Sequence, residues 1–172
     1  MGMNLTHIHE PAAPCKFDVS PHHGALSVPD LEASIAWYRK HFGFAVEIRF
    51  GMPEAGLRGA FIRSGAMRIE LFELASAKPM PAERASVPDD LATHGMKHFA
   101  MQVQDAEAVH QYCQEQGFEI ALPLTRVGGT TAFYIRDNSG ILIEFCEPFA
   151  EVGCKETQSG GVSPAVQKGA HA

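Results

Sequence analysis

The segment from His23 to Phe44, HGALSVPDLEASIAWYRKHFGF, recurs as HFAMQVQDAEAVHQYCQEQGF from His98 to Phe118. Counted from each histidine, both copies place Ala at +2, Val at +5 and Asp at +7. Both set a tyrosine five residues before a Gly-Phe pair, Tyr38 before Gly43-Phe44 and Tyr112 before Gly117-Phe118. The offset is 75 residues at the histidines and 74 at the glycines, so one residue is lost in between. It holds at 74 where Ile69-Glu70-Leu71-Phe72-Glu73 returns as Ile143-Glu144-Phe145-Cys146-Glu147. Two copies are too few for a solenoid, which needs three or more stacked units. They describe a duplicated pair of similar modules.

Hydrophobic periodicity gives the shape of one module. Residues from His23 to Val28 alternate and read as a strand. Asp30 is an N-cap for a helix carrying Leu31, Ile35, Tyr38 and Phe42 at helical spacing, and Gly43 stops it. Strands follow at Phe44 to Phe50, Leu57 to Arg63 and Met67 to Leu74, giving β-α-β-β-β. The second copy repeats the order: a strand at His98, a helix capped by Asp105, and strands at Phe118, Thr130 to Arg136 and Ile141 to Cys146, with a DNSG turn before the last. The expected class is α+β, two tandem βαβββ modules forming a cupped mixed sheet with helices outside. The expected boundaries are an arm at 1–20, modules at 21–74 and 96–148, a proline-bearing linker at 75–95 and a small, polar, flexible tail at 149–172.

Composition narrows the partners. The 172 residues carry a net charge of −6, and an acidic surface repels phosphate backbones and anionic lipid, so neither nucleic acid nor membrane is expected. No apolar run approaches the roughly 20 residues of a membrane span, and the N-terminus lacks the apolar stretch of a secretory signal. Met1-Gly2 with Thr6 matches an acylation pattern that is short and generic. Cys15, Cys113, Cys146 and Cys154 show no CxxC spacing, which reads as reduced thiols in a cytoplasmic protein.

Strand alternation puts i and i+2 on one face. Leu26 and Val28 pack inward, which turns His23, Ala25 and Ser27 outward. Ile69 and Leu71 pack inward and leave Glu70 opposite. Phe99, Met101 and Val103 form the apolar face of their strand, so His98 faces away; Ile143 and Phe145 do the same for Glu144. His23, Glu70, His98 and Glu144 thus share the non-helix face, beside small residues that leave room for a ligand. A lone strand glutamate is usually solvated and a lone histidine usually structural. Here a His and a Glu recur at equivalent places on equivalent faces, and two imidazoles with two carboxylates make a mixed site for one divalent ion. His22 has the wrong parity and no counterpart in the second copy.

The stretches HGALSVPDLEASIAWYRKHFGF, IELFE, GMKHFAMQVQD and DNSGILIEFCEP, in that order, resemble the glyoxalase I / bleomycin resistance / extradiol dioxygenase superfamily, the vicinal oxygen chelate fold. The resemblance covers about residues 22 to 148. It implies that the first and last strands of each module hold the ion, through His23, Glu70, His98 and Glu144. It implies a divalent metal (Ni, Zn, Co, Mn or Fe) acting as Lewis acid while a proton leaves the carbon beside a carbonyl, through a metal-stabilised enediolate, with Glu144 or Glu70 as general base. It also implies a homodimer in which His23 and Glu70 can face His98 and Glu144 of the partner, and a substrate-side loop at residues 127–131.

Two departures bear on the substrate. Bacterial-type glyoxalases I place an Arg where Ser27 stands and an Asn where Leu74 stands, and Ser cannot replace the charge-assisted bonds of a cationic clamp. A glutathione adduct is therefore disfavoured. Arg68, Arg126 and Arg136 are the cationic alternatives, with surface solubility the plainer role for each. The expected function is a glyoxalase I-like metal-dependent lyase or isomerase acting on a small oxygenated molecule. The alternatives are a non-haem iron dioxygenase, whose two-His-one-carboxylate site a bound Glu70 would crowd, and a non-catalytic binding protein of the antibiotic-sequestering kind, which needs no metal ligands.

Overall fold

The computed structural model describes residues 10, 11, 13, 16–127 and 129–149. Most of the expected N-terminal arm with its acylation pattern, the tail from 150 onward, Cys15, Cys154 and Gly128 of the 127–131 loop lie outside the described residues.

The duplicated sequence folds into duplicated modules. The first contains β1 (Gly24–Ser27), α1 (Leu31–Phe42), β2 (Ala45–Met52), β3 (Leu57–Ser64) and β4 (Met67–Leu74). The second contains β5 (Phe99–Gln102), α3 (Ala106–Glu115), β6 (Ile120–Val127), β7 (Thr130–Arg136) and β8 (Leu142–Cys146). Each makes a four-stranded mixed sheet, ordered β1-β4-β3-β2 and β5-β8-β7-β6. The first and last strands of each module pair in parallel, Ala25 opposite Glu70 and Ala100 opposite Glu144. The class is α+β, as expected.

The helices start and stop by the same local chemistry. Asp30 accepts from the amide of Ala33 and Asp105 from that of Ala108, at 2.9 and 2.8 Å. The last strand of each module adds a second acceptor: Glu73 takes the amide of Leu31 at 2.8 Å and Glu147 that of Ala106 at 3.1 Å. The closing glutamates of IELFE and IEFCE thus satisfy first-turn amides that the helix leaves open, where the macrodipole also favours negative charge. Gly43 closes α1 at φ 68°, a left-handed conformation that costs glycine little.

Two elements depart from simple alternation. The run of apolar residues at 44–50 does not stay on one face, because the β2–β3 register shifts between Val46 and Ile48. Val46 lies opposite core residue Ile62, while Ile48 lies opposite Phe61 on the open face. The strand expected at Phe118 begins at Ile120, and its pairing with β7 slips on both sides of Leu122. Pro123, which has no amide to donate, stands within that stretch.

The linker folds more than its prolines suggest. A 3-10 turn at Ala82–Arg84 leads into the short helix α2 (Val87–Leu91), with Ser86 as N-cap and a proline in its first turn. Asp90, nearly inaccessible, clips it down by accepting from Arg84 Nε at 2.6 Å and Lys97 Nζ at 3.2 Å.

One hydrophobic core serves both modules. Tyr38, Ile62, Ile69 and Leu71 from the first join Phe133, Ile135, Ile143 and Phe145 from the second. Across the seam, Trp37 packs on Phe118, Phe42 on Phe145, and the Tyr38 hydroxyl donates to Asp137 Oδ2 at 2.8 Å. The helices cover this side, which leaves the opposite face of each sheet open.

Candidate metal and substrate site

Each open face carries one histidine and one glutamate brought together by the parallel pairing of first and last strands. His23, just ahead of β1, sets Nε2 at 3.2 Å from Glu70 Oε2 on β4. His98, just ahead of β5, sets Nε2 at 3.0 Å from Glu144 Oε2 on β8. The two pairs match in exposure as well as geometry: both histidine side chains are 31% accessible, and Glu70 and Glu144 are 16% and 20%. All four residues selected by alternation are therefore on the open faces, grouped two and two. No group of three or more ligand-type side chains converges among the described residues.

An aromatic ring backs each pair. Phe61, opposite Glu70 in register, stands edge-on to His23 with ring centres 5.1 Å apart. Tyr134, opposite Glu144, stands edge-on to His98 at 4.9 Å. Tyr134 is the member of the site that the sequence reading missed; its equivalence to Phe61 within the repeat was the available signal. It lies opposite Glu144 across the sheet, and burial followed by that carboxylate pushes the phenol up to about 12. Tyr134 thus keeps its proton throughout the neutral range, beside Glu144. Cys146, two residues on, is also pushed up by burial and then by Glu144, so its thiol is not poised as a nucleophile.

The faces around the pairs differ. On the first module, Ile48, Phe50 and Met52 of β2 share a face with Phe61 and Phe72, and Ile48 is 56% accessible. Gly59 makes room for them: a Cβ there would lie 2.2 Å from the Phe50 ring. The polar corner is Arg63, Arg68, Glu47 and His22. Arg68 holds Glu47 well below the usual carboxylate range, with Arg63 adding to the effect. On the second module, a cavity of about 470 Å³ has His98, Leu142 and Arg136 in its wall, closed by Ala25 and Ser27 of β1 and by Met80 of the linker. Leu142, two residues before Glu144 and on the same face, is buried in this cavity wall.

The expected cationic clamps are largely engaged. Arg68 is paired with Glu47, and Arg136 donates to Glu119, to the Gly140 carbonyl and to the Ala85 carbonyl. Ser27, at the position where a clamp would stand, lies in the cavity wall.

Neutral imidazole nitrogens and carboxylate oxygens are the donor set that nickel, zinc, cobalt, manganese and iron accept. The paired spacing fits: each Nε2 and Oε2 are close enough to ligate one small cation between them.

Residues 20–145 match the family model described as Glyoxalase/Bleomycin resistance protein/Dioxygenase superfamily. A relative from Cereibacter sphaeroides, an ethylmalonyl-CoA/methylmalonyl-CoA epimerase, is 28% identical over 128 residues, covering 71% of this chain and 92% of its own. Among solved structures, a glyoxalase family protein from Enterococcus faecalis superposes with a TM-score of 0.62 at 24% identity, over 74% of this chain and 97% of that one. The trypanothione-dependent glyoxalase I of Leishmania major superposes at 0.55 and 19% identity, over 73% and 84%.

Proposed function

The chain belongs to the glyoxalase/bleomycin resistance/dioxygenase superfamily, and from that premise we propose that it is a metal-dependent lyase or isomerase of glyoxalase I-like type. The observation that carries this reading is the twofold His–Glu pair, Nε2 to Oε2 at 3.2 and 3.0 Å, on equivalent strands of the two modules. One pair supplies two ligands, too few for a tight site, and four come together when two copies oppose their modules. His23 and Glu70 of one copy then meet His98 and Glu144 of a second. The exposed Ile48 and Met52 beside the first pair give such a dimer apolar surface to cover.

A divalent ion there supplies Lewis-acid stabilisation of negative charge on a substrate oxygen next to the carbon that loses its proton. The chain's own residues do the rest. The two carboxylates are the proton carriers: one takes the proton, and an epimerisation needs the other to return it on the opposite face. His23 and His98 hold the geometry without taking part in proton transfer. The substrate body fits the cavity beside His98, and Ser27 in its wall offers a hydroxyl rather than a cationic clamp, which turns preference away from a glutathione carboxylate. The kinship with an acyl-CoA epimerase favours a substrate whose acidic proton lies next to a thioester or similar carbonyl.

Metal content of gently purified protein tests the reading. About one divalent ion per chain, lost in His98→Ala, is the expected result. Iron as that ion, with oxygen uptake, would support the dioxygenase chemistry of the same superfamily instead. No ion bound, and none taken up on addition, would leave a non-catalytic binding protein.

A further inference from the structure

Glu70 is not the sole partner of His23. His22 and His23 face each other through Nδ1 atoms 2.6 Å apart, and Arg68 Nη1 lies 3.0 Å from His22 Nε2. Arg68 is fixed in turn, donating from Nε to Glu47 Oε2 at 2.6 Å and from Nη2 to Glu47 Oε1 at 3.2 Å. A guanidinium only donates, and it keeps its protons at every accessible pH. Its direction therefore propagates along the chain. His22 Nε2 accepts, so a neutral His22 carries its proton on Nδ1 and gives it to His23 Nδ1. A neutral His23 then carries its own proton on Nε2, towards Glu70.

Nε2 is also the nitrogen that would ligate an ion shared with Glu70, and a ligating imidazole nitrogen has no proton. With Nε2 committed, His23 carries its proton on Nδ1 and donates to His22. His22 must then hold its proton on Nε2, where it meets Arg68 donor against donor. The second module has no such chain. Its residue before the histidine is Lys97, whose ammonium turns away to Asp90 and to the carbonyls of Asp90 and Thr93.

We propose that His22 and Arg68 form a tautomer lock on His23, keeping its proton on Nε2, the nitrogen beside Glu70, so that the Arg68–His22 contact must break for His23 to take a metal. The ligation half rests on the function proposed above; the tautomer half stands on the hydrogen bonds alone. Long-range proton–nitrogen NMR of the metal-free chain reads both. The expected spectrum has His23 protonated on Nε2 and His22 on Nδ1, and in Arg68→Met the His22 proton is no longer confined to Nδ1. Cobalt titration followed by visible absorption is expected to show Arg68→Met binding about fivefold more tightly, the worth of one net hydrogen bond. Arg63→Met is the control: it removes a cation of the same cluster, one that donates to Glu47 at 3.3 Å and not to His22, and binds as the native chain does.

A native spectrum with His23 protonated on Nδ1 would overturn the lock. Equal tightening by the two arginine variants would also overturn it, since bulk charge would then explain the effect. A native chain that takes up no cobalt removes the ligation half together with the metal reading, while the spectrum still judges the tautomer chain by itself.

Discussion

Tyr134 and Phe61 occupy one position of the repeat, and a single oxygen separates them. Opposite Glu70 the ring carries no hydroxyl; opposite Glu144 it carries a protonated phenol, which a small rotation brings to the carboxylate. Donation to a ligating carboxylate fixes its orientation, and loss of such partners typically weakens a metal by about tenfold or more. Tyr134→Phe is accordingly expected to bind cobalt about tenfold more weakly with an unchanged melting temperature, while Phe61→Tyr leaves folding intact and gives Glu70 the same support. Equal affinity of Tyr134→Phe and the native chain would show that the hydroxyl does not hold Glu144. The four histidines and glutamates were legible because strand alternation reports a face. Tyr134 was not, because its contribution lies across the sheet, and cross-strand register is set by turns and bulges rather than by the local pattern.

At the scale of elements, the helices were legible almost to the residue, since caps are local chemistry: Asp30 and Asp105 start them, and Gly43 ends the first. The second strands were not. A bulge at Val46/Ile48 and Pro123 in β6 both break the two-residue period on which a face assignment depends. Distant support was equally hidden, with Glu73 and Glu147 reaching the helix starts from the far end of each module. Each cap is a doublet, so Asp30→Ala and Asp105→Ala are each expected to cost about 1 kcal/mol in urea unfolding, nearly additively in the double variant. A cost near zero at either site would mean that the glutamate alone satisfies the helix start.

At the scale of the molecule, the modules are joined by burial and by polar contacts, Ser34 to Ser139, His41 to Tyr112 and, the most buried, Tyr38 to Asp137. Tyr38→Phe leaves Asp137 Oδ2 without its donor in a site where burial already pushes that carboxyl up. The expected loss is about 1 to 3 kcal/mol, with the fold retained because Oδ1 keeps the amides of Ser139 and Ile141. Acid works on different carboxylates. Asp90 is held below its ordinary range, first by Arg84 and then by Lys97. A carboxylate depressed in the folded state contributes stability above its unfolded pKa and loses it as pH falls. Melting temperature is therefore expected to drop between about pH 5 and pH 3, and to drop less steeply in Asp90→Asn, which has no carboxylate to protonate. An identical slope in both would remove Asp90 from the acid response.

The duplication announced two modules, but it could not say whether their ligand pairs meet within one chain or between two. No helix among the described residues is long and apolar enough to cross a membrane. The direct measurement is metal content of a mixed dimer made from His23→Ala and His98→Ala chains. If one chain's first pair works with its partner's second pair, one site of the mixed dimer carries both lesions and the other is native. About one tightly held ion per mixed dimer is then expected, against about two for the native dimer and none for either variant alone. No ion in the mixed dimer would place both lesions in separate sites and contradict a site shared between chains.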